Sequence, residues 1–270
     1  MNPYFPGDSY HTPEDTPRHW LDRLFLGSRL ALHGHFIWEI MKARRLVAGN
    51  AYTRAAWGET AHAIFKMVEQ CNGRFHITGL DNIHNLNEPV VFVSNHVSSL
   101  EGNVLGCLLP FHQEVSFVIK ESLTRYPVFG PVVEARQPIT VGRTNPREDL
   151  QKVLQDGAQM LQNGRSIILF PQHTRTATFV PDEFNSLGVK LAKRAGVPIV
   201  PIAVKTDFLI NGRYLRDFGP LDRTQPIHIA FGQPFQVENN KKAHHDIVQF
   251  IEKHWAAWQN TSYVKTKKYL

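Results

Sequence analysis

A chain of 270 residues can bury a full core as one domain, and 42% hydrophobic with 20% charged residues excludes a disordered chain. Its two cysteines, Cys71 and Cys107, each sit in an apolar helical pattern, which excludes a disulfide framework and fits a reducing compartment. The formal charge of +6 implies an acidic partner, and a membrane surface, nucleic acid and a phosphorylated substrate would all supply one.

Residues 1–17 are polar and proline-rich, without the apolar core of a signal peptide. No stretch reaches the roughly 18 apolar residues of a membrane-spanning helix, so the chain is expected to stay on the side where it is made. Residues 20–47 read as one long or two broken helices, with Leu21, Leu24, Phe25, Leu32, Phe36 and Ile40 near helical spacing. Trp20, Leu26, Leu30, Ile37, Trp38 and Met41 widen that stripe beyond one core-facing side, and Arg18, Arg23, Arg29, Lys42, Arg44 and Arg45 make the segment basic. Two readings stay open: a helix lying in a membrane interface, and a helix pair buried on its own domain with a solvated basic side.

A second helix over 52–70 is closed by Asn72-Gly73. Strands then follow at 74–78 and 90–93, a helix at 99–109, strands at 115–119 and 138–141, a helix at 147–162 and a strand at 166–170. A helix at 187–195, strands at 199–204 and 227–231 and a helix at 243–258 complete the series. The alternation predicts an α/β fold, a largely parallel sheet flanked by helices, with an N-terminal helical segment.

Two polar clusters leave apolar strands, Ser94-Asn95-His96-Val97-Ser98-Ser99-Leu100-Glu101 and Phe170-Pro171-Gln172-His173-Thr174-Arg175-Thr176. Open α/β sheets place ligands at such strand ends. Five residues are about 140° apart around a helix, so His96 and Glu101 meet only if His96 lies in the loop and Glu101 in the first helical turn. The carboxylate would then fix the imidazole tautomer. Ser98 to Glu101 also fits a capping box, and His96 also fits a hydrogen-bonded core histidine. Arg175 beside Thr174 offers a fork of donors for a phosphate or carboxylate, and Lys120 and Arg143 follow two other strands. One base and three cations at four strand ends suit proton abstraction from an alcohol beside a bound anion. The scattered histidines show no metal-ligand spacing, so no metal is expected.

This set, in this order, resembles the glycerolipid acyltransferase family, the PlsC-like 1-acylglycerol-3-phosphate acyltransferases and their relatives. The likeness covers roughly residues 79–235. The family's Asn-His, four residues, then Asp is matched by Asn95-His96 and Glu101. Its lysine, Pro-x-Phe-Gly and arginine-ended strand are matched by Lys120, Pro127-Val128-Phe129-Gly130 and Ile139 through Arg143. Phe-Pro-Glu-Gly-Thr-Arg becomes Phe170-Pro171-Gln172-His173-Thr174-Arg175, Phe-Lys-x-Gly becomes Phe184-Asn185-Ser186-Leu187-Gly188, and Val-Pro-Ile-x-Pro runs from Val197 to Pro201. Glu101 for aspartate also occurs in related lipid A-type acyltransferases. Gln172-His173 for Glu-Gly removes a charge and bears on the identity of the acceptor.

The resemblance implies His96 as base with Glu101 behind it, and Lys120, Arg143, Gln172, Thr174 and Arg175 as substrate-binding residues. It implies acyl transfer from acyl-CoA or acyl carrier protein, as co-substrate and with no cofactor, to a phosphorylated lyso-lipid, 1-acylglycerol-3-phosphate, in phospholipid synthesis. Another lipid acceptor, or a non-catalytic lipid-binding protein of the same fold, is the alternative. No Gly-x-Ser-x-Gly elbow is present for an acyl-enzyme. Residues 18–72 would be N-terminal helices available to a membrane interface and 73–260 the catalytic domain. Peripheral attachment at the cytoplasmic face of a membrane is expected, and nucleic-acid binding is not, since only net charge speaks for it.

Overall fold

The structure, a computed structural model, describes residues 2–172 and 174–267. His173, one of the two departures in the second polar cluster, lies outside them. Among the described residues the strands are β1 (Tyr10–His11), β2 (Phe75–Thr78), β3 (Val91–Ser94), β4 (Glu114–Lys120), β5 (Ile139–Val141), β6 (Arg165–Leu169), β7 (Ile199–Lys205) and β8 (Ile227–Phe231). They form one sheet in the order β1-β2-β8-β7-β3-β6-β4-β5. All neighbouring pairs are parallel except β1 with β2 and β7 with β8. The expected largely parallel sheet is therefore observed, with antiparallel pairing confined to one half. β1, two residues long in the polar, proline-rich start of the chain, has no periodicity to betray it.

The helices are α1 (Trp20–Leu24), α2 (Leu30–Ala48), α3 (Arg54–Gln70), α4 (Asp81–His84), α5 (Leu100–Leu108), α6 (Gly130–Glu134), α7 (Pro146–Gln162), α8 (Leu187–Ala195) and α9 (Asn240–Lys267). The first segment is broken because Leu26 and Gly27 adopt φ of 51° and 71°, a left-handed backbone that no helix continues through.

Successive side chains of the central strands enter opposite layers, as a pleat requires. Phe92, Ile168, Val200, Ile202 and Val204 join the layer of α2, α3 and α5. Val91, Val93, Ile167, Leu169, Ile199 and Ala203 join that of α7, α8 and α9. Strands buried on both sides need continuous apolar runs, which is what 90–93 and 167–170 are. Two motif glycines work by close approach. A Cβ on Gly188 would stand 2.5 Å from Val93 Cγ2, where α8 crosses β3, and one on Gly130 would stand 2.0 Å from the Thr124 carbonyl oxygen at the start of α6.

Candidate active site

β3 ends at Ser94, opposite Ile202, while β7 runs on to Lys205. Beyond Ser94 the buried Asn95 side chain takes over the ladder with β7: its Nδ2 donates to the Val204 carbonyl at 2.8 Å and its Oδ1 accepts from the Val204 N–H at 2.8 Å. A side-chain amide thus makes both bonds a backbone residue would make, and it delivers the next residue, His96, at a fixed height above the sheet.

Glu101, in the first turn of α5 and fully buried, receives that histidine. His96 Nδ1 and Glu101 Oε1 are 2.7 Å apart. The same carboxylate accepts from the backbone N–H groups of Val97 (2.7 Å) and Ser98 (3.0 Å) and from the Thr206 hydroxyl (2.6 Å). Ser98 Oγ accepts from the Leu100 N–H at 3.1 Å. Helix-start bonding and histidine support are therefore one arrangement: one residue ahead of the N-cap Ser99, the Ser98 hydroxyl takes the Leu100 N–H, Glu101 reaches back to Val97 and Ser98, and the imidazole bonds the same carboxylate. Burial alone pushes the Glu101 carboxyl up, but the hydrogen bond and charge of His96, then the bond from Thr206, outweigh it and hold the group below its usual range.

The second polar cluster clamps the same loop from the other side. Gln172 Oε1 accepts from the His96 N–H at 2.6 Å, its Nε2 donates to Thr176 Oγ1 at 2.6 Å, and the Thr176 N–H donates to the His96 carbonyl at 3.0 Å. Gln172, expected among the substrate-binding residues, is buried with both ends of its amide on protein partners. Phe170 stacks on the imidazole with ring centroids 4.3 Å apart. Arg175 Nε lies 3.4 Å from His96 Nε2, so with Nδ1 turned to Glu101 the imidazole keeps its second nitrogen toward the guanidinium. Thr174 Oγ1 accepts from Arg216 Nη1 at 2.7 Å.

His96 opens onto a cavity of about 780 Å³ lined by apolar side chains that include Leu32, Phe36, Ile64, Leu100, Phe117 and Val132. Lys120, Arg143, Gln172, Thr174 and Arg175 line the same cavity, and Glu101 sits behind His96. Arg143 is held two residues past β5 at φ 61°, where its own N–H and that of Gly142 donate to the Asp149 carboxylate at 2.8 and 3.0 Å. Neither cysteine offers a nucleophile: both are buried, and burial pushes the Cys71 thiol up to about 12 and the Cys107 thiol higher still.

Sequence reasoning passed over Thr206, Asn95 as a ladder element, and Asp217, whose carboxylate lies 2.6 Å from Arg175. Thr206 had one usable signal, a hydroxyl immediately after a strand that would neighbour β3. Asp217 had none, because the residues between β7 and β8 carry no period.

Residues 74–205 match the family model described as Acyltransferase. Over 130 residues, 48% of this chain and 49% of the relative, the sequence is 32% identical to a 1-acyl-sn-glycerol-3-phosphate acyltransferase of Pseudomonas aeruginosa. Over 117 residues, 43% of each chain, it is 28% identical to the lyso-ornithine lipid O-acyltransferase of that organism. The match thus spans about half the length of these curated relatives or less. The crystal structure of the 1-acyl-sn-glycerophosphate acyltransferase PlsC from Thermotoga maritima superposes with a TM-score of 0.67 at 17% identity, covering 88% of this chain and 96% of that one. The two share a fold.

Proposed function

We propose, from the premise that residues 74–205 form a domain of the PlsC-like acyltransferase family, that this chain is an O-acyltransferase. It would move a fatty acyl group from an acyl thioester, of coenzyme A or acyl carrier protein, to the free hydroxyl of 1-acylglycerol-3-phosphate in phospholipid synthesis. One observation carries the reading: an imidazole whose Nδ1 is committed to a buried carboxylate, with Nε2 turned to the Arg175 guanidinium at the head of a large apolar cavity.

In this reading Nε2 takes the acceptor's hydroxyl proton as its oxygen attacks the thioester carbonyl. The new C–O bond forms, the C–S bond breaks, and the imidazolium returns the proton to the departing thiolate. Glu101 stabilises the imidazolium between those two moments. The apolar wall accommodates the acyl chain, and Lys120, Arg143 and Arg175 supply cations for the acceptor's phosphate.

The cavity's rim supports attachment to a membrane surface. Ile37, Tyr126, Val128, Tyr214 and Leu215 line the cavity and are exposed. On α1 and α2, Trp20 is 66% and Trp38 57% exposed, among exposed Arg23, Arg29, Lys42 and Arg45. A face of this composition suits an anionic interface. Among the described residues no helix is long and apolar enough to cross a membrane.

The test is a panel of donors and acceptors with products read by mass: acyl-CoA and acyl carrier protein against 1-acylglycerol-3-phosphate, glycerol-3-phosphate and a lyso-ornithine lipid. Turnover of 1-acylglycerol-3-phosphate above the others is expected. Preference for the lyso-ornithine lipid would move the chain to the second relative's chemistry, and no transfer with any pair would return it to a binding role.

A further inference from the structure

The residues between β7 and β8 lie beyond the stretch matched by the family model, yet they close one side of the site. Leu209 and Leu221 pair as an antiparallel bridge, the Ile210 N–H donates to the Pro220 carbonyl at 3.0 Å, and the Gly212 N–H donates to the Arg216 carbonyl at 3.1 Å. The result is a narrow finger. Asn211 Nδ2 donates to the carbonyl of Val97, next to the base, at 2.9 Å. At the other flank Arg29 Nη1 donates to the Phe218 carbonyl at 2.8 Å, and His33 Nε2 lies 2.8 Å from the Gly219 carbonyl oxygen. The finger is thus pinned to the catalytic loop and to α2.

Asp217, in this pinned frame, meets Arg175. Its Oδ1 is 2.6 Å from Arg175 Nη1, and the side chains are 38% and 18% exposed. That oxygen is buried yet has no partner in hydrogen-bonding geometry. The contact is one of charge without the directed fork-to-carboxylate bonds that make such pairs strong. A carboxylate therefore sits on the guanidinium nearest the base, held there by the finger more than by its own bonding.

We propose that Asp217 is a specificity-determining residue, a built-in counter-ion on Arg175 that the acceptor's anionic headgroup must replace. The proposal rests on the acyl-acceptor reading of the site. Exchange is inexpensive for a phosphate monoester, which carries more charge than one carboxylate and enters a cavity that Lys120 and Arg143 also line. A neutral glycerol headgroup gains nothing by it. Because the Asp217 contact lacks directed bonds while an arriving phosphate can take the guanidinium's N–H groups along their axes, the two ligands are unequal in favour of phosphate. Asp217 thus sets how strongly an anion must bind before Arg175 is surrendered.

The test uses the full chain and two readouts. Inorganic phosphate binding, followed by calorimetry, needs no acyl transfer and survives failure of the assigned reaction. Asp217→Asn should tighten phosphate binding at least threefold, Asp217→Ser should do the same, and Asp217→Glu should keep wild-type affinity. Arg175→Ala should lose the tightening in either background. With 1-acylglycerol-3-phosphate as acceptor, Asp217→Asn should lower KM by a similar factor without raising kcat, while KM for monoacylglycerol stays unchanged. Unchanged or weaker phosphate binding in both folded neutral variants overturns the proposal, as does tightening that persists without Arg175.

Discussion

The base and the cations occupy the same cavity but are built differently. His96 is held by Asn95 below, Glu101 behind, Gln172 beside and Phe170 above, and nearly every polar atom of that set has a partner in the protein. Lys120 ends β4, next to the edge strand, Arg143 sits in a turn at a positive φ, and Arg175 shares its charge with a loop carboxylate across a contact of imperfect geometry. Chemistry that needs one nitrogen in one place is set on strand ends and a helix turn. Recognition of a headgroup, which tolerates adjustment, is left mostly to turns and loops, with Lys120 the one of these three cations on a strand end.

That contrast predicts effects of different kind and size. His96→Ala should cut turnover by about 10²–10⁴-fold or more with the fold intact, checked by steady-state kinetics beside a circular dichroism melt; wild-type turnover in a folded variant would break the comparison at its rigid end. Glu101→Gln should lower kcat by up to about 10⁴-fold through loss of tautomer control. The same change should cost about 1–3 kcal/mol of stability, because four groups aim N–H or O–H bonds at that carboxylate. Since the folded carboxyl titrates below its ordinary value of 4.5, the stability it adds is complete above that pH and is lost as pH falls through the folded value. Denaturant melts should accordingly show the wild-type advantage over Glu101→Gln widest above pH 4.5 and narrowing below it.

At the adjustable end, Arg175→Ala should raise the acceptor KM by about 10–150-fold, from the roughly 1.5–3 kcal/mol of a hydrogen bond to a charged group, with a smaller loss in kcat. A kcat collapse at unchanged KM would place Arg175 with the rigid set instead. The smallest effect is expected on the membrane face. Replacing Trp20 and Trp38 together by serine should lower sedimentation with anionic vesicles several-fold while stability changes by less than about 0.5 kcal/mol, as for other surface sites. Equal pelleting would mean that this face meets no lipid. Deleting residues 1–47 would be a poorer test, because Leu32, Ile40 and Ala43 belong to the core and Leu32 and Phe36 wall the cavity.

Much of the frame was legible in the chain because buried parallel strands must be apolar throughout, so β3, β6 and β7 announce themselves. Spacing placed His96 near Glu101, since only one loop-and-helix arrangement lets them touch. What stayed hidden depends on contacts between distant segments. The Asn95 to Val204 ladder spans 109 residues, Thr206 meets Glu101 across 105, and Asp217 reaches Arg175 from an aperiodic finger. No local pattern encodes such partners. The breadth of the N-terminal apolar stripe fits both core and interface, and α2 splits it: Ala31, Leu32, Ile40 and Ala43 face inward while Leu30, Ile37, Trp38 and Met41 remain exposed.

The Asn95 side chain has one further consequence. The Val204 amide, deep in a central strand, donates to no neighbouring backbone carbonyl on that side, only to Asn95 Oδ1. Its proton can reach solvent only when the loop carrying the base lifts away from the sheet or the whole domain opens. Deuterium uptake at that single amide is therefore a clock for the catalytic loop, slow among its neighbours in the resting protein and accelerated by any change that loosens His96 without unfolding the strands around it.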